Sequence, residues 1–149
     1  MFVLRVLTYI IGIMMVSSTV YGSERVVLKP RVPADQLLSV KSIKDPLPRT
    51  HDNVIKGKII YHGKGKCILC HGVNGDGNGP AAVNPDSQPS PRSFRNMDWQ
   101  KARTDGELKW VITYGVQGSG MQGHGDTLTD SEMWQVIIYI RSLGHKQPS

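Results

Sequence analysis

The chain has 149 residues, the length of one domain with appendages. Eighteen Lys and Arg against 12 Asp and Glu give a formal charge of +6. The basic residues are scattered and do not interleave with aromatics in a run, so nothing points to nucleic acid.

Residues 1–22 carry one charge, Arg5, then an apolar stretch from Val6 to Val16 and the run Ser17-Ser18-Thr19-Val20-Tyr21-Gly22. This pattern predicts a signal peptide cleaved before Ser23. An uncleaved anchor is the alternative, since Phe2–Tyr21 nearly spans a bilayer. Cleavage would leave 17 basic and 12 acidic residues, a charge of +5. A field of that sign suits docking on an acidic partner, and equally serves ordinary solubility. Residues 23–50 form a Pro-rich arm or linker. Pro30, Pro33, Pro46 and Pro48 interrupt any long helix, with one turn expected near Asp35–Val40.

A first helix is expected from Asp52 or Asn53, with Val54, Ile55, Ile59 and Ile60 as its apolar stripe. Gly57 costs about 1 kcal/mol inside a helix relative to alanine, which marks the close approach of another backbone. Gly63 and Gly65 end that helix.

Cys67-Ile68-Leu69-Cys70-His71 follows, a C-x-x-C-H run that holds both cysteines of the chain. It is the attachment signature of a c-type haem. Thiols three residues apart on one helical turn can each form a thioether to a vinyl group, and the next residue supplies the proximal imidazole. A thiol–disulfide pair is the main competitor. A zinc site is weaker, because the chain has no second cysteine pair.

Glycines 72, 75, 77 and 79, then Pro80, come next. No Gly-Lys-Ser/Thr follows, so this is not a phosphate loop, and the oxygen ligands of a calcium loop are missing. Glycines here are expected to let backbone run close against a flat cofactor. Residues 84–93 read as a Pro/Ser-rich surface loop.

A second helix is expected over 105–114, with Thr104 and Glu107 as a capping box and Gly115 as its stop. The stretch 115–125 has five glycines, which exclude a regular element. A last helix is expected from Asp130 to about Ser142, opened by a Thr129/Glu132 box and burying Met133, Val136, Ile137 and Ile140. No segment alternates as a strand. The expected architecture is all-α with long irregular loops. So small a set of helices buries little apolar area, and a bound apolar group would fill the deficit.

Any sixth ligand to the iron comes from elsewhere in the chain. Met97 lies before the second helix, and Met133 lies on a buried stripe where methionine is usually core filler. Met121 lies in the glycine-rich loop, able to wrap the far face of a haem, and His124 in the same loop is its rival. An open position is the remaining alternative. No nucleophile–base pair or carboxylate dyad marks an enzyme.

Residues 53–144 resemble the class I cytochrome c family, in its small bacterial mono-haem form. Gly57 and Tyr61, the Cys67/Cys70/His71 motif, Met121 in its loop, Trp134, Tyr139-Ile140, and the string from Cys70-His71-Gly72 to Gly79-Pro80-Ala81-Ala82 carry the resemblance. It implies an all-α, small cytochrome c-like domain of three to four short helices wrapped around one covalently bound haem c. The layout becomes signal peptide 1–22, arm 23–50, cytochrome domain 51–145 and tail 146–149. His71 and Met121 would ligate the iron, and the carbonyl of Pro80 would accept the proximal imidazole N–H. Arg92 and Trp99 would hold the haem propionates.

The implied function is that of an exported one-electron carrier and not an enzyme. Its partners would be redox proteins, either an acidic docking surface or a membrane complex. The location would be periplasmic, or membrane-associated if the N-terminal segment is retained, because bacterial haem attachment takes place outside the cytoplasmic membrane. A haem subunit of a larger oxidoreductase complex is the nearest alternative. A haem enzyme with an open distal site and a C-x-x-C oxidoreductase follow.

Overall fold

The computed structural model describes residues 28–82 and 90–144. The expected leader at 1–22 and tail at 146–149 lie outside these, as does most of the Pro/Ser-rich loop. No helix among the described residues is long and apolar enough to cross a membrane.

Among the described residues, six helices and one two-stranded ribbon follow in order: α1 (Leu37–Ser42), α2 (His51–His62), α3 (Ile68–His71), α4 (Met97–Ala102), α5 (Asp105–Tyr114), β1 (Gly115–Val116), β2 (Met121–Gln122) and α6 (Asp130–Gly144). The all-α class holds, with more helices than the three to four expected. The additional ones are single turns or little more, too short to show a hydrophobic period.

α2 and α6 cross and form the centre of the core. Tyr61, Trp134, Ile137 and Ile140 are buried there. Gly57 makes the crossing possible. A Cβ at this position would lie 2.6 Å from the carbonyl carbon of Gln135, closer still to its oxygen, and 2.9 Å from Cβ of Tyr139. The crossing also decides which face of α2 turns inward. Asn53, Gly57, Ile60 and Tyr61 are buried at helical spacing. Ile55 and Ile59, expected in the stripe, stand 44% and 66% exposed.

Helix starts follow side-chain chemistry. Thr50, rather than Asp52 or Asn53, caps α2, its hydroxyl accepting the Asn53 N–H at 3.3 Å. Thr104 and Glu107 form the expected box on α5, and Thr129 and Glu132 the one on α6. α4 is capped by Asn96, which accepts the Trp99 N–H at 2.8 Å.

The glycine-rich stretch after α5 does form a regular element, if a minimal one. Val116 pairs with Met121 and Gly115 with Gln122 in an antiparallel ribbon. Glycines at the ribbon's turn take up positive φ at Gly118 and Gly120, so the chain reverses over few residues.

The arm packs on the domain and is no free linker over its described part. Val32 and Val40 are buried. The Trp110 indole N–H donates to the Gln36 side-chain oxygen at 2.9 Å, and the Arg103 guanidinium donates to the Leu28 carbonyl. The Val40 carbonyl rests on Gly106 of α5, where a Cβ would also meet Ile43 at 3.1 Å.

Candidate functional site

The C-x-x-C-H motif is wound into one helical turn. Cys67 has helical backbone angles, and the His71 N–H donates to the Cys67 carbonyl at 2.9 Å. The two cysteines therefore sit one turn apart, with the imidazole next in line. Both are unpaired and half-buried. As a thiol, Cys67 is pushed up to about 12 by burial. A thiol so raised supplies almost no thiolate near neutrality, which weighs against a disulfide-exchange pair.

The turn is stapled from both sides. Upstream, α2 unwinds through backbone bonds from Gly63 to Ile59, Gly65 to Ile60 and Cys67 to Tyr61, at 2.9, 2.8 and 3.0 Å. Downstream, the glycine string folds back over the turn. The N–H groups of Gly77, Gly79 and Ala81 donate to the carbonyls of His71, Cys70 and Leu69, at 2.9, 2.9 and 2.6 Å. These are the carbonyls that a helix end leaves without partners. The glycines were expected to let backbone near a cofactor. Here they let it near the motif turn itself: a Cβ on Gly79 would run into the Ile68 and Leu69 carbonyls. The Tyr61 hydroxyl adds a buried bond to the Gly72 carbonyl at 2.8 Å.

His71 is 8% exposed and lies stacked on Phe94, ring centroids 4.3 Å apart and planes 20° from parallel. Its Nδ1 is 3.0 Å from the carbonyl oxygen of Arg92. A carbonyl only accepts, so Nδ1 carries the proton and the lone pair is on Nε2. Burial lowers the imidazole's pKa, and the Arg92 bond partly opposes this. The ring is thus held neutral and in one tautomer, the form that ligates a metal.

Pro80 was expected to supply that carbonyl. It lies exposed in a turn, and Arg92 takes the position instead. The glycine string carries Pro80 away over the motif turn, while the Phe94 N–H bond to the Gly75 carbonyl at 2.7 Å draws residues 92–94 back to the imidazole.

Among the other expected residues, Trp99 is buried at 5% exposure, its ring 5.4 Å from Phe94. The Arg92 guanidinium is half-buried and lowered to about 10, by burial first and then by the charges of Arg31 and Arg103. Met121 sits half-buried on β2, its N–H donating to the Ser119 hydroxyl at 3.3 Å. His124, also half-buried, is lowered by burial. Met133 is core, its sulfur accepting the Thr113 hydroxyl at 3.5 Å, and Met97 is 40% exposed.

The donor set fits a covalently held haem: two unpaired thiols and a neutral, oriented imidazole on one stapled turn. Phe94 is a further residue of the site that sequence reasoning missed. Phe94 had only its place two residues after Arg92 to mark it.

The Cytochrome c family profile matches residues 54–144. None of the curated proteins matches the chain. Among solved structures, a chain of the Kuenenia stuttgartiensis reducing HAO-like protein complex is similar at 29% identity and a TM-score of 0.58. The likeness covers 69% of this chain and 48% of that one, so this chain spans about half of its relative's length.

Proposed function

The chain belongs to the cytochrome c family, and from that premise we propose that it is an exported mono-haem cytochrome whose iron is ligated by His71 and Met121 and which carries one electron at a time. The family carries haem c bound through the cysteines of such a motif, and electron transfer is its role. The observation that bears most weight is the His71 ring, buried, bonded at Nδ1 to Arg92 and fixed on a turn that also carries Cys67 and Cys70.

The haem supplies the redox chemistry, a change between ferric and ferrous iron. The protein's part is to hold and to tune. Cys67 and Cys70 would anchor the ring by thioethers. The Arg92 carbonyl, accepting from Nδ1–H, raises the donor strength of Nε2 and stops the imidazole from rotating. Phe94 closes one face of that imidazole against water. Met121 would present a thioether, a soft ligand that favours reduced iron and raises the potential. Arg92, whose carbonyl meets the imidazole, and Trp99, buried against Phe94, would hold the propionates. No side chain is asked to move a proton.

Maturation in cells with a haem-attachment pathway tests this reading. Intact mass should show one added haem and an N-terminus at Ser23, and the reduced protein should show a sharp α-band. Acidified solvent should leave the colour in the polypeptide. Colour that extracts with the solvent defeats the proposal.

A second reading is favoured by the likeness to a chain of a protein complex. Here the same haem serves a larger oxidoreductase, docked through the arm or the N-terminus. Size-exclusion of native extract separates the two. A free carrier elutes near its own mass, a subunit with its complex.

A further inference from the structure

We propose that the groove between the arm and α4 is a docking site for an acidic segment of a partner protein, which sets carboxylates on Lys41, Lys44 and Lys101 and an apolar side chain on Ile43 and Met97. This extends the reading of a haem protein docked through its arm, and supplies the chemistry of the partner.

The groove has a volume of about 410 Å³, within the range of sites that enclose a small ligand. It is bounded by the arm, α4, the start of α5 and the end of α6. Its base is fixed in place. The Arg141 guanidinium donates to the Asp105 carboxylate at 2.7 Å, to the backbone and side-chain oxygens of Gln100 at 2.6 and 2.8 Å, and to the Arg103 carbonyl at 2.5 Å. Arg49 meets the other Asp105 oxygen at 2.5 Å. Both arginines are therefore spent on the chain's own acceptors, and Asp105, the one acid of the lining, is spent on them.

Lys41, Lys44 and Lys101 remain. They make no ion pair or hydrogen bond among the described residues. Asp45, beside Lys44 in the chain, is not part of the lining, and it accepts the Leu47 N–H at 2.8 Å. Five basic side chains line the groove against one acid, in a chain whose whole formal charge is +6. Charge scattered along the sequence is thus gathered here by the fold. Ile43 and Met97, 43% and 40% exposed, lie in the same groove. An apolar centre with a charged rim is the anatomy of a protein interface. Inorganic phosphate would leave the apolar pair unused, and the arginine forks that best match it are occupied. A planar lipid surface would meet the rim without filling the groove.

The occupant is not this chain. Its 12 acidic residues include no two in succession, so neither its remaining residues nor a second copy offers an acidic run. Lys41, Ile43, Lys44 and Arg49 also precede the 54–144 match, which makes the site an addition by the arm to the family domain. No lining residue belongs to the motif turn or to the Met121 loop. Docking here tethers a partner without engaging either.

The test uses the matured full chain and a fluorescent hexapeptide with two glutamates on each side of a Leu-Phe pair, read by polarisation. Haem staining reports on the parent reading alone, and peptide binding on this one. The Lys41→Gln/Lys44→Gln double variant should weaken binding about fivefold to tenfold and Lys101→Gln about threefold, while Lys58→Gln, an exposed lysine of α2 outside the groove, should change it less than ~1.5-fold. Serines in place of the Leu-Phe pair should weaken binding about threefold to wild type and not to Met97→Ser, because the apolar contact is already gone. The proposal is overturned if the peptide fails to saturate wild type by about 1 mM, or if the groove lysines matter no more than Lys58. It is also overturned if the serine peptide loses as much against Met97→Ser as against wild type. Phosphatidylserine vesicles that lose their binding to the lysine variants, while the peptide keeps its own, would overturn it in favour of a membrane.

Discussion

The α2/α6 crossing can be tested without reference to the cofactor, through Gly57→Ala. A methyl group there lands 2.6 Å from the Gln135 carbonyl carbon, where ordinary contact begins near 3.4 Å. The neighbour is helix backbone and cannot rotate away. The helices must part by about 0.8 Å or more, and a gap of 0.5–1 Å forfeits a quarter to a half of the dispersion energy across it. Overpacking a core usually costs about 1–3 kcal/mol, and this site belongs at the upper end because no side chain can yield. Replacing a helical glycine by alanine returns about 1 kcal/mol. The net loss is about 2 kcal/mol, a substantial share of a small domain's total of ~5–15 kcal/mol. Urea unfolding of the holoprotein, followed by far-UV circular dichroism and by the Soret band, should show the midpoint about 1 M lower at an unchanged slope. A midpoint equal to wild type, or higher by the propensity gain alone, would refute the close crossing.

Met121→Ala should abolish the sulfur-to-iron charge-transfer band and admit CO or cyanide rapidly at neutral pH, whereas His124→Ala should do neither; retention of the band in Met121→Ala would rule out that ligand. Glu107→Ala should cost about 3 kcal/mol in urea unfolding, because the Arg103–Glu107 pair is 8% and 2% exposed at its side chains and removing one partner strands the other. Asp130 is held below the usual carboxylate range by the Lys109 ammonium, with the Trp134 N–H contributing. Its stabilising effect is therefore complete above about pH 4 and lost as pH falls through the lowered pKa. The stability gap between wild type and Asp130→Asn, measured by urea unfolding, should be present at neutral pH and close in acid. The haem-free polypeptide should lack a cooperative thermal transition, since three longer helices and their loops bury too little apolar surface alone; calorimetry showing a native-like transition would contradict this.

What was legible in the sequence was chemistry confined to a few neighbouring residues. The motif turn needs only Cys67, Cys70 and His71, and each capping box needs only a threonine and a glutamate three residues on. Gly57 was readable for a different reason, since a glycine inside a helix is unfavourable unless space is needed. Pairings across the fold were not legible. Which carbonyl meets Nδ1 depends on how the loop after His71 returns, and the glycine string returns it at Arg92, past Pro80. α4 is six residues capped by Asn96, too short for a period. The inward face of α2 could not be chosen by hydrophobicity, because isoleucines lie on both sides and the crossing at Gly57 decides between them.

The stapled turn also accounts for the placement of so many glycines around it. A one-electron carrier exchanges fastest when its ligands move little between oxidation states, and backbone slack beneath His71 would permit movement. Ordinarily a four-residue helix is slack, since its last carbonyls have no internal partners. Here the three carbonyls from Leu69 to His71 accept N–H groups from residues 81, 79 and 77, while α2 holds the turn's first residue through the Tyr61 carbonyl. Side chains larger than hydrogen at Gly79 would block that return path. The imidazole is then fixed by the Arg92 carbonyl at its edge and by Phe94 against its face. Rigidity is thus built from backbone bonds around the motif, and the hydrophobic core at the α2/α6 crossing lies directly behind it through Tyr61, whose hydroxyl reaches the Gly72 carbonyl.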